Sequence, residues 1–438
     1  MAILAGWFPN SAQAMPTAFS PRYRGYVLFI LWMTYILNFV DRQLITILLE
    51  PIKLEFEVSD TAMGFLSGFA FALFYASLGV PVARLADRWS RRNVIAISVS
   101  LWSAMTAFCG LAGNFWQLAL ARVGVGIGEA GGTPPSHSLI ADYFPLEQRA
   151  TALSIHATAT QFGILIGMLG GAVVAAEYGW RMAFIFFGIP GLFVGLLVAL
   201  TVKEPRRDSP LSSTSMLADI KHIWALPGFA LIASAGATTA LAAYGLGTWS
   251  PSFLLRSHGL SLVETGLLLG GAGAISGIIG AVTGGMLCDR LSKRDKRWQL
   301  WLPALGAFAT APLMLGFLLW PESHQFAVGA STIPVAIIFT FLGGIVAAFW
   351  LGPTYAAIQT LSPGGMRAQA AAIFLFMFNL VGMGLGPLVI GVLSDLLEPA
   401  LGVDSLRYAM AIGLSLVVVG GVLFLRAAPK YVSATHPA

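Results

Sequence analysis

The sequence predicts an all-α membrane protein with twelve transmembrane helices in two six-helix halves related by pseudo-twofold symmetry. Hydrophobic residues occupy 57% of the 438 positions and Asp, Glu, Lys and Arg only 10%, whereas soluble domains carry about 25% charged residues. Apolar blocks follow one another along the chain, and sequence features recur between the two halves. This composition excludes a disordered chain, a disulfide scaffold and a nucleic-acid-binding protein.

The apolar blocks define the predicted helices. A helix needs about 20 apolar residues to cross the hydrocarbon layer of a bilayer. Twelve blocks meet this requirement, near 25–50, 61–85, 93–112, 116–143, 147–177, 180–202, 223–255, 262–287, 299–320, 332–360, 367–396 and 404–427.

The positions of lysine and arginine predict the orientation. If both termini are cytoplasmic, the outer side carries only Lys53, Arg181, Arg256 and Arg407 of the 25 Lys and Arg residues. The positive-inside rule assigns the lysine-rich and arginine-rich loops to the cytoplasm. We therefore expect an integral membrane protein with both termini cytoplasmic, and the short tails favour a bacterial inner membrane.

An internal repeat organises the chain. The serine and the two glycines of the stretch 59–68 recur 202 residues later in 261–270, and the charged stretch 85–92 recurs in 287–294. Parallel repeats of six helices place a binding site between the halves near the membrane midplane. We expect a cytoplasmic tail at 1–24, an N-terminal bundle at 25–202, a cytoplasmic linker at 203–222, a C-terminal bundle at 223–427 and a cytoplasmic tail at 428–438.

Three motifs resemble those of a known family. ARLADRWSRR at 83–92 and GMLCDRLSKR at 285–294 are similar to the loop that the major facilitator superfamily places after its second and eighth helices. RVGVGIGEAGGTPP at 122–135 resembles the fourth-helix motif of that superfamily. The resemblance covers the whole chain and implies a secondary transporter that works by alternating access.

A second set of motifs resembles one subfamily in particular. NFVDRQ at 38–43, GIGEA at 126–130 and SLIADYFP at 138–145 are most similar to the Spinster-like lipid transporters. This resemblance implies an amphipathic lipid substrate of the lysophospholipid or sphingoid type. Related symporters of organic anions share an Asn-x-x-Asp-Arg type of first helix, so a small organic anion is the alternative substrate.

The repeated loop motifs carry the predicted gate. An acid at a helix end can pair with arginine and can stabilise the positive N-terminus of a neighbouring helix. The resemblance implies that such contacts hold the cytoplasmic gate shut, while the alternative is that the charges only anchor the loops to lipid headgroups. The predicted gating residues are Asp87, Arg88, Arg91, Arg149, Asp289, Arg290 and Arg367.

Four charged residues lie within the predicted helices. They are Asp41 and Arg42 in the first helix and Arg122 and Glu129 in the fourth. An ionisable residue inside a membrane is costly and is therefore a functional candidate. On the fourth helix, Arg122 and Glu129 belong to a polar stripe with helical spacing, which must face a cavity or a partner.

These charges predict proton coupling. Burial disfavours the charged form of a carboxylate and a nearby arginine favours it, so proton affinity changes when a cavity opens to one side or the other. We predict that Asp41 and Glu129 carry protons, and that Arg42 and Arg122 either tune them or bind an anionic headgroup. The alternative is a pair of permanent ion pairs that brace the helices.

Further polar and aromatic residues are predicted to line the cavity. The second half has no charge firmly inside its helices and instead carries aromatic and polar side chains, which suits a solute with a polar head and an apolar tail. The predicted lining residues are Tyr35, Asn38, Thr133, His137, Tyr244, Thr248, Tyr355 and Asn379.

Other functions are disfavoured. No ATP-binding G-x-x-x-x-G-K-[ST] motif occurs, and the glycines at 124, 126 and 128 lie in an apolar helix, where helix packing explains them better than nucleotide binding. We expect no enzyme activity, no metal and no cofactor. The expected partners are protons, the lipid substrate and membrane lipids, and the expected state is a monomer. A passive lipid scramblase is the alternative of another class.

Overall fold

Helices account for most of the chain. A computed structural model describes residues 19–205, 216–328, 331–363 and 366–435. In the first half the helices are α1 (Pro21–Ile47), α2 (Leu49–Phe56), α3 (Asp60–Gly64), α4 (Ala70–Arg88), α5 (Arg91–Cys109), α6 (Phe115–Glu129), α7 (Thr133–Tyr143), α8 (Leu146–Leu165), α9 (Gly171–Tyr178) and α10 (Trp180–Thr201).

The second half repeats this helical pattern. Its helices are α11 (Met216–Ala225), α12 (Phe229–His258), α13 (Leu262–Ser292), α14 (Trp298–Leu319), α15 (Ala336–Ala347), α16 (Leu351–Leu361), α17 (Arg367–Met377), α18 (Gly386–Leu401) and α19 (Ser405–Thr435). Short π-helical turns at Phe65–Phe69, Ile166–Gly170 and Phe378–Leu385 join successive α-helices into longer rods.

The membrane-spanning helices agree with the predicted blocks. Among the described residues, ten helical stretches are long and apolar enough to cross a membrane. One of them, Gln369–Thr435, contains the eleventh and twelfth predicted helices. The fourth predicted helix is divided into α6 and α7, because two glycines and then Pro134 and Pro135 follow the end of α6.

Several helix boundaries differ from the predicted blocks by a few residues, and three of them change the interpretation of the chain. The first helix begins at Pro21 and the last continues to Thr435, so helix reaches into both predicted tails. The tenth begins at Ala336 instead of 332, because strands Gln325–Val328 (β1) and Ser331–Pro334 (β2) precede it as an antiparallel hairpin. Phe326 lies opposite Ile333 in this hairpin, and aromatic and β-branched residues favour strands.

The repeated serines begin equivalent helices. Ser59 accepts a hydrogen bond from the backbone N–H of Ala62 at the start of α3, and Ser261 accepts one from Glu264 at the start of α13. The Glu264 carboxylate accepts a hydrogen bond from the backbone N–H of Ser261, which completes a capping box. The repeated serine therefore caps the N-terminus of a helix in both halves.

The chain divides into two compact units. Of the described residues, 19–45 and 73–205 belong to the first unit, and 46–72, 216–328, 331–363 and 366–435 belong to the second. The segment 46–72, which contains α2 and α3, thus packs with the second half of the chain.

Small residues bring the helices of the first unit close together. A Cβ atom at Gly128 of α6 would lie 2.6 Å from the backbone nitrogen of Trp102 in α5, and one at Gly188 of α10 would lie 2.6 Å from that of Ala107. A side chain at either position would push the helices apart, and small residues commonly serve this purpose between membrane helices. Gly128 of the fourth-helix motif therefore serves close helix packing.

Candidate functional site

The four charged residues predicted inside the membrane lie together in the first unit. Asp41 and Arg42 are on α1, and Arg122 and Glu129 are on α6, with Glu129 at its last position. The side chains of Asp41, Arg122 and Glu129 are 3%, 1% and 0% exposed, while that of Arg42 is 13% exposed. We call these four residues the α1–α6 charge cluster.

Asp41 and Arg122 form the more deeply buried of two ion pairs. Arg122 Nη1 donates to Asp41 Oδ2 at 2.6 Å, and the hydroxyl of Thr106 on α5 donates to Asp41 Oδ1 at 2.5 Å. Both carboxylate oxygens of Asp41 are therefore hydrogen-bonded. A gap too narrow to hold a water molecule adjoins Asp41, and Trp102 and Phe187 are among its walls.

Arg42 and Glu129 form the second pair. Nε and Nη2 of Arg42 lie 2.9 Å and 2.8 Å from Glu129 Oε2. The guanidinium of Arg42 also lies over the rings of Tyr75 and Phe39, with 4.6 Å and 5.4 Å to the ring centroids. The other carboxylate oxygen of Glu129, Oε1, is buried and has no hydrogen-bond partner among the described residues.

The two pairs form one electrostatic unit. Glu129 interacts electrostatically with Asp41 and Arg122 as well as with its own partner Arg42. Two carboxylates and two guanidinium groups give zero net charge, which lowers the cost of burying them. A proton that binds to either carboxylate would leave an excess positive charge, and one arginine would then be available for an anion.

Glycines position Glu129 and Arg122 on this face of α6. Cβ atoms at Gly124 and Gly128 would each lie 2.6 Å from atoms of α5, in Met105 and Trp102 respectively. Close approach of α6 to α5 places Arg122 near Thr106, whose hydroxyl binds the same carboxylate. Small residues on one face of α6 and charged residues elsewhere on it therefore act together to build the cluster.

A second group of predicted residues lies beside the cluster in the first unit. The ring of Tyr35 stacks on the imidazole of His156 at 4.7 Å, and His137 meets the same imidazole edge-on at 5.3 Å. Asn38 is buried, Thr133 is half-buried, and His137 is exposed. His156 was not predicted as a site residue.

The predicted residues of the second unit lie in and around an aromatic cluster. Tyr244 contacts Phe378 edge-on at 5.6 Å, and Tyr355 contacts Phe374 edge-on at 5.3 Å. Asn379 is half-buried in the π-helical turn beside Phe378, whereas Thr248 is 8% exposed. These side chains provide an apolar and aromatic surface with few polar groups.

A cavity of about 170 Å³ lies within the second unit. Helices α12, α14, α15 and α19 contribute to its lining, and Trp350 closes part of it. The hydroxyl residues Thr239, Ser250, Thr310 and Thr340 interrupt an otherwise apolar wall.

Arg91 is the predicted gating residue with the most contacts among the described residues. Its Nη1 lies 2.5 Å from Asp142 Oδ2 and its Nε 2.9 Å from Glu204 Oε1. Glu204 also accepts a hydrogen bond from the backbone N–H of Arg92 at 2.9 Å, at the first turn of α5. All these residues belong to the first unit, so Arg91 braces that unit internally.

The other predicted gating residues are mostly on the surface. Arg88, Asp289, Arg290 and Arg367 are exposed. Arg149 is half-buried and donates to the backbone oxygen of Phe144 at 3.0 Å, which stabilises the end of α7. The side chain of Asp87 lies outside the described part of the structure.

Comparisons with known proteins identify the family. Residues 31–330 match the sequence model of the Major Facilitator Superfamily. An MFS-type efflux pump of Mycolicibacterium smegmatis is 37% identical over 90% of this chain and 90% of its own length. The chain belongs to the major facilitator superfamily and is a membrane transporter, not an enzyme.

Within the superfamily the chain is Spinster-like. The sphingosine-1-phosphate transporter SPNS2 of Danio rerio is 26% identical over 90% of this chain and 82% of its own length. A solved structure of a bacterial homologue of the human lysosomal transporter Spinster, inward-facing and unoccupied, is 30% identical. It superposes with a TM-score of 0.85 over 96% of this chain and 100% of the solved one. The predicted resemblance and fold are confirmed.

Sequence reasoning missed Thr106 and Tyr75, which contact the charge cluster, and His156, which packs against Tyr35 and His137. All three lie on helices whose patterns look like ordinary apolar packing. Helical spacing could have indicated Thr106, because it is one turn from Trp102 and therefore lies on the same face of α5, the face that meets α6. Glu204 lies in the polar linker, and nothing in its sequence surroundings distinguishes it from a solvated charge.

Proposed function

We propose that this chain is a proton-coupled secondary transporter that moves an amphipathic lipid, of the lysophospholipid or sphingoid type, by alternating access. The observation that carries the proposal is the α1–α6 charge cluster, a neutral set of two carboxylates and two arginines buried inside a membrane helix bundle. Charges in that position are costly and mark functional sites in transporters.

Glu129 is the better placed of the two carboxylates to receive a proton. Only its Oε2 is paired with Arg42, while Oε1 is buried without a hydrogen-bond partner among the described residues. Both oxygens of Asp41 are satisfied. An unsatisfied buried acceptor costs about 1–3 kcal/mol, and protonation at Oε1 neutralises the carboxylate and weakens its attraction for Arg42.

Arg42 would then bind the polar head of the substrate. Its side chain is 13% exposed, compared with 1% for Arg122, and a released guanidinium binds phosphate or carboxylate well. Proton uptake at Glu129 and anion binding at Arg42 are thus coupled through one ion pair. Asp41 and Arg122 form the second proton site, which opens after the first.

The lipid assignment rests on two kinds of support. The zebrafish relative transports sphingosine-1-phosphate, and the bacterial relative with a solved structure is a Spinster homologue. The second unit contributes the aromatic cluster and cavity described above, which suit an acyl chain better than a small hydrophilic anion. The relative from M. smegmatis is an efflux pump, which favours export. We propose a bacterial inner-membrane location with both termini cytoplasmic.

Flux in proteoliposomes tests the proposal. We expect an imposed pH gradient to drive uptake of a fluorescent lysophospholipid by the wild type, and Glu129→Gln to remove that stimulation. Glu147→Gln is the matched control, because Glu147 is an exposed carboxylate on α8, and it should behave like the wild type. Equal stimulation in Glu129→Gln would contradict proton coupling through this site.

Competition separates the candidate substrates. Unlabelled lysophospholipid or a phosphorylated sphingoid base should suppress the fluorescent flux, whereas short dicarboxylates and sugar acids should not. Suppression by dicarboxylates alone would favour the organic-anion symporter. Lipid movement of equal rate with and without the gradient, in wild type and variant alike, would favour a passive scramblase.

A further inference from the structure

Basic residues gather at the predicted cytoplasmic end of the first unit. Arg24 lies in the first turn of α1, Arg149 in the first turn of α8, and Lys203 just after α10. The two arginines meet at the end of α7, where the guanidinium carbon of Arg24 lies 5.8 Å from the ring centroid of Phe144. Arg149 Nε donates to the backbone oxygen of the same Phe144 at 3.0 Å. We call Arg24, Arg149 and Lys203 the Arg24 cluster.

Aromatic side chains hold Lys203 beside the arginines. The ring of Tyr23 lies 6.1 Å from that of Tyr143, the residue before Phe144. The Tyr23 hydroxyl accepts a hydrogen bond from the backbone N–H of Lys203 at 2.9 Å, and the Tyr143 hydroxyl donates to its backbone oxygen. Lys203 Nζ lies 5.7 Å from the centroid of the Tyr23 ring. Tyrosine is enriched at the depth of the lipid headgroups, so this scaffold suits the membrane interface.

No carboxylate neutralises the Arg24 cluster within residues 19–205. Two acids that adjoin it in the sequence, Asp142 and Glu204, both bind Arg91 instead. Glu147 is exposed in the first turn of α8 and forms no ion pair in the described part of the first unit. Three positive charges held near one another repel, and an anion between them would remove that repulsion.

The guanidinium of Arg24 leaves hydrogen-bonding capacity unused. Its Nε and Nη1 are buried, and neither has a hydrogen-bond partner in the structure as described. Because water does not reach these two nitrogens, Arg24 differs from an ordinary solvated surface charge. A buried donor without an acceptor is costly, especially in a charged group. The first turn of α1 adds to this cost, since the helix dipole there favours an anion and disfavours a cation.

A lipid phosphate matches these features. A guanidinium binds phosphate through two parallel hydrogen bonds, and basic pockets between helices on the cytoplasmic side bind lipid headgroups. A headgroup that draws Arg24 away from Phe144 replaces a cation–π contact with stronger charge-assisted hydrogen bonds. A lipid is favoured over free phosphate because the tyrosine scaffold sets the cluster at the interface, where headgroup phosphates are concentrated.

We propose that the Arg24 cluster is a binding site for an anionic phospholipid of the cytoplasmic leaflet, such as phosphatidylglycerol. Arg24 binds the phosphate, while Arg149 and Lys203 balance the net negative charge of the headgroup. The bound lipid is a partner of the protein and not its transported substrate. Arg24 and Arg42 are 18 positions apart on α1, or about 27 Å along the helix axis, so one headgroup does not reach both.

Lipid-dependent melting tests the site. Purified protein in detergent would be titrated with dioleoylphosphatidylglycerol, with dioleoylphosphatidylcholine, which has the same acyl chains and no net charge, and with inorganic phosphate. We expect phosphatidylglycerol to raise the melting temperature of the wild type at about a tenfold lower concentration than phosphatidylcholine, because each basic residue near a headgroup favours an anionic lipid. Inorganic phosphate should have no effect.

Substitutions connect the response to the cluster. Arg24→Gln should need about tenfold more phosphatidylglycerol for the same rise, Lys203→Gln should be affected less, and Arg24→Lys should retain part of the response. Without lipid, Arg24→Gln should melt at or above the wild-type temperature, because it removes a buried charge that has no partner. Arg426→Gln is the matched control, since Arg426 is an exposed arginine at the predicted cytoplasmic end of α19. It should respond like the wild type.

Four results would overturn the site. Equal stabilisation by the two lipids would mean that headgroup charge is not recognised, and stabilisation by inorganic phosphate would indicate a site for a free anion. A lower melting temperature of lipid-free Arg24→Gln would give Arg24 a purely structural role. Loss of the response in Arg42→Gln, with Arg24→Gln unaffected, would place the lipid at the substrate site. Because no flux or pH gradient is measured, such a failure is distinct from failure of proton-coupled transport.

Discussion

Arg42 contacts only one of the two carboxylate oxygens of Glu129. Nε and Nη2 of the arginine lie 2.9 Å and 2.8 Å from Oε2, while Oε1 has no hydrogen-bond partner among the described residues. This asymmetry distinguishes the pair from Asp41 and Arg122, where both carboxylate oxygens are used. The Arg42–Glu129 pair is therefore the one that opens first, and the more deeply buried Asp41–Arg122 pair opens only after it.

Arg42→Gln should weaken binding of a lysophospholipid by about tenfold, equivalent to about 1.4 kcal/mol, because the group proposed to bind the phosphate is removed. Arg42→Lys should retain part of the affinity, since it keeps the charge without the planar fork. Titration calorimetry or ligand-dependent melting of the purified protein measures this. Unchanged affinity for the phosphate-bearing lipid in Arg42→Gln would show that the head binds elsewhere.

The Asp41–Arg122 pair should be important for stability. Removal of one partner of a buried ion pair costs about 3–5 kcal/mol, so Asp41→Asn and Arg122→Gln should each lower the melting temperature in detergent. The double variant should be less destabilised than the sum of the two, because no unpaired charge remains. Additive losses would mean that the two residues do not depend on each other.

An exposed ion pair provides the comparison for the single and double variants of the buried pair. Arg407 pairs with Glu322, whose side chain is 46% exposed, and surface pairs contribute at most about 1 kcal/mol. Glu322→Gln should therefore change the melting temperature little. A loss as large as that of Arg122→Gln would point to a general sensitivity to charge removal.

Gly128→Ala should disrupt the site without removing any charge. Its Cβ would lie 2.6 Å from the backbone nitrogen of Trp102 and would push α6 away from α5. Overpacking of this kind costs about 1–3 kcal/mol, and the shift would also move Arg122 away from the carboxylate held by Thr106. Melting temperature and gradient-driven flux should both fall.

Gly79→Ala is the control for this substitution. No atom lies within 4 Å of a Cβ at Gly79, and alanine favours helix over glycine by about 1 kcal/mol. Its stability should therefore be equal to or above that of the wild type. Equal effects of the two alanines would contradict a tight α5–α6 contact.

Arg91→Lys should destabilise the first unit. Arg91 binds Asp142 and Glu204 at once, and a lysine ammonium cannot reproduce that forked geometry. We expect a loss of about 2 kcal/mol, with Glu204→Gln close behind; this is below the about 3–5 kcal/mol for removing one partner of a buried pair, because lysine keeps the charge and both carboxylates are partly exposed. Arg88→Lys, at an exposed position, should leave the melting temperature unchanged. If Arg91→Lys melted at the wild-type temperature, the contacts of Arg91 with Asp142 and Glu204 would not be stabilising the first unit.

The sequence predicted the fold and the core of the site because both depend on local patterns. The lengths of the apolar blocks predicted the helices, and helical spacing placed Arg122 and Glu129 on one polar stripe. Asp41 and Arg42 stood out because charge is rare inside a membrane helix. Which carboxylate meets which arginine was not predictable, because neighbouring positions on α1 point in directions about 100° apart.

The buried contact between Asp60 and Arg256, whose guanidinium binds both carboxylate oxygens at 2.8 Å, was beyond sequence reasoning for a different reason. Asp60 and Arg256 are separated by 196 positions and each lies at a helix end, where a charge is ordinarily solvated. Only the close approach of α3 to α18, permitted by Gly64 and Gly391, buries Asp60. The sequence repeat marked Gly64 as a recurring position but gave no indication of its partner.

Proton movement driven by substrate shows directly whether Glu129 exchanges a proton as Arg42 exchanges its partner. Proteoliposomes containing a pH-sensitive dye and no imposed pH gradient would receive a lysophospholipid, and lipid and proton fluxes would be recorded together. We predict a substrate-dependent proton flux in the wild type and in Glu147→Gln, and none in Glu129→Gln. Lipid transport by the wild type at full rate without any accompanying proton movement would contradict the account.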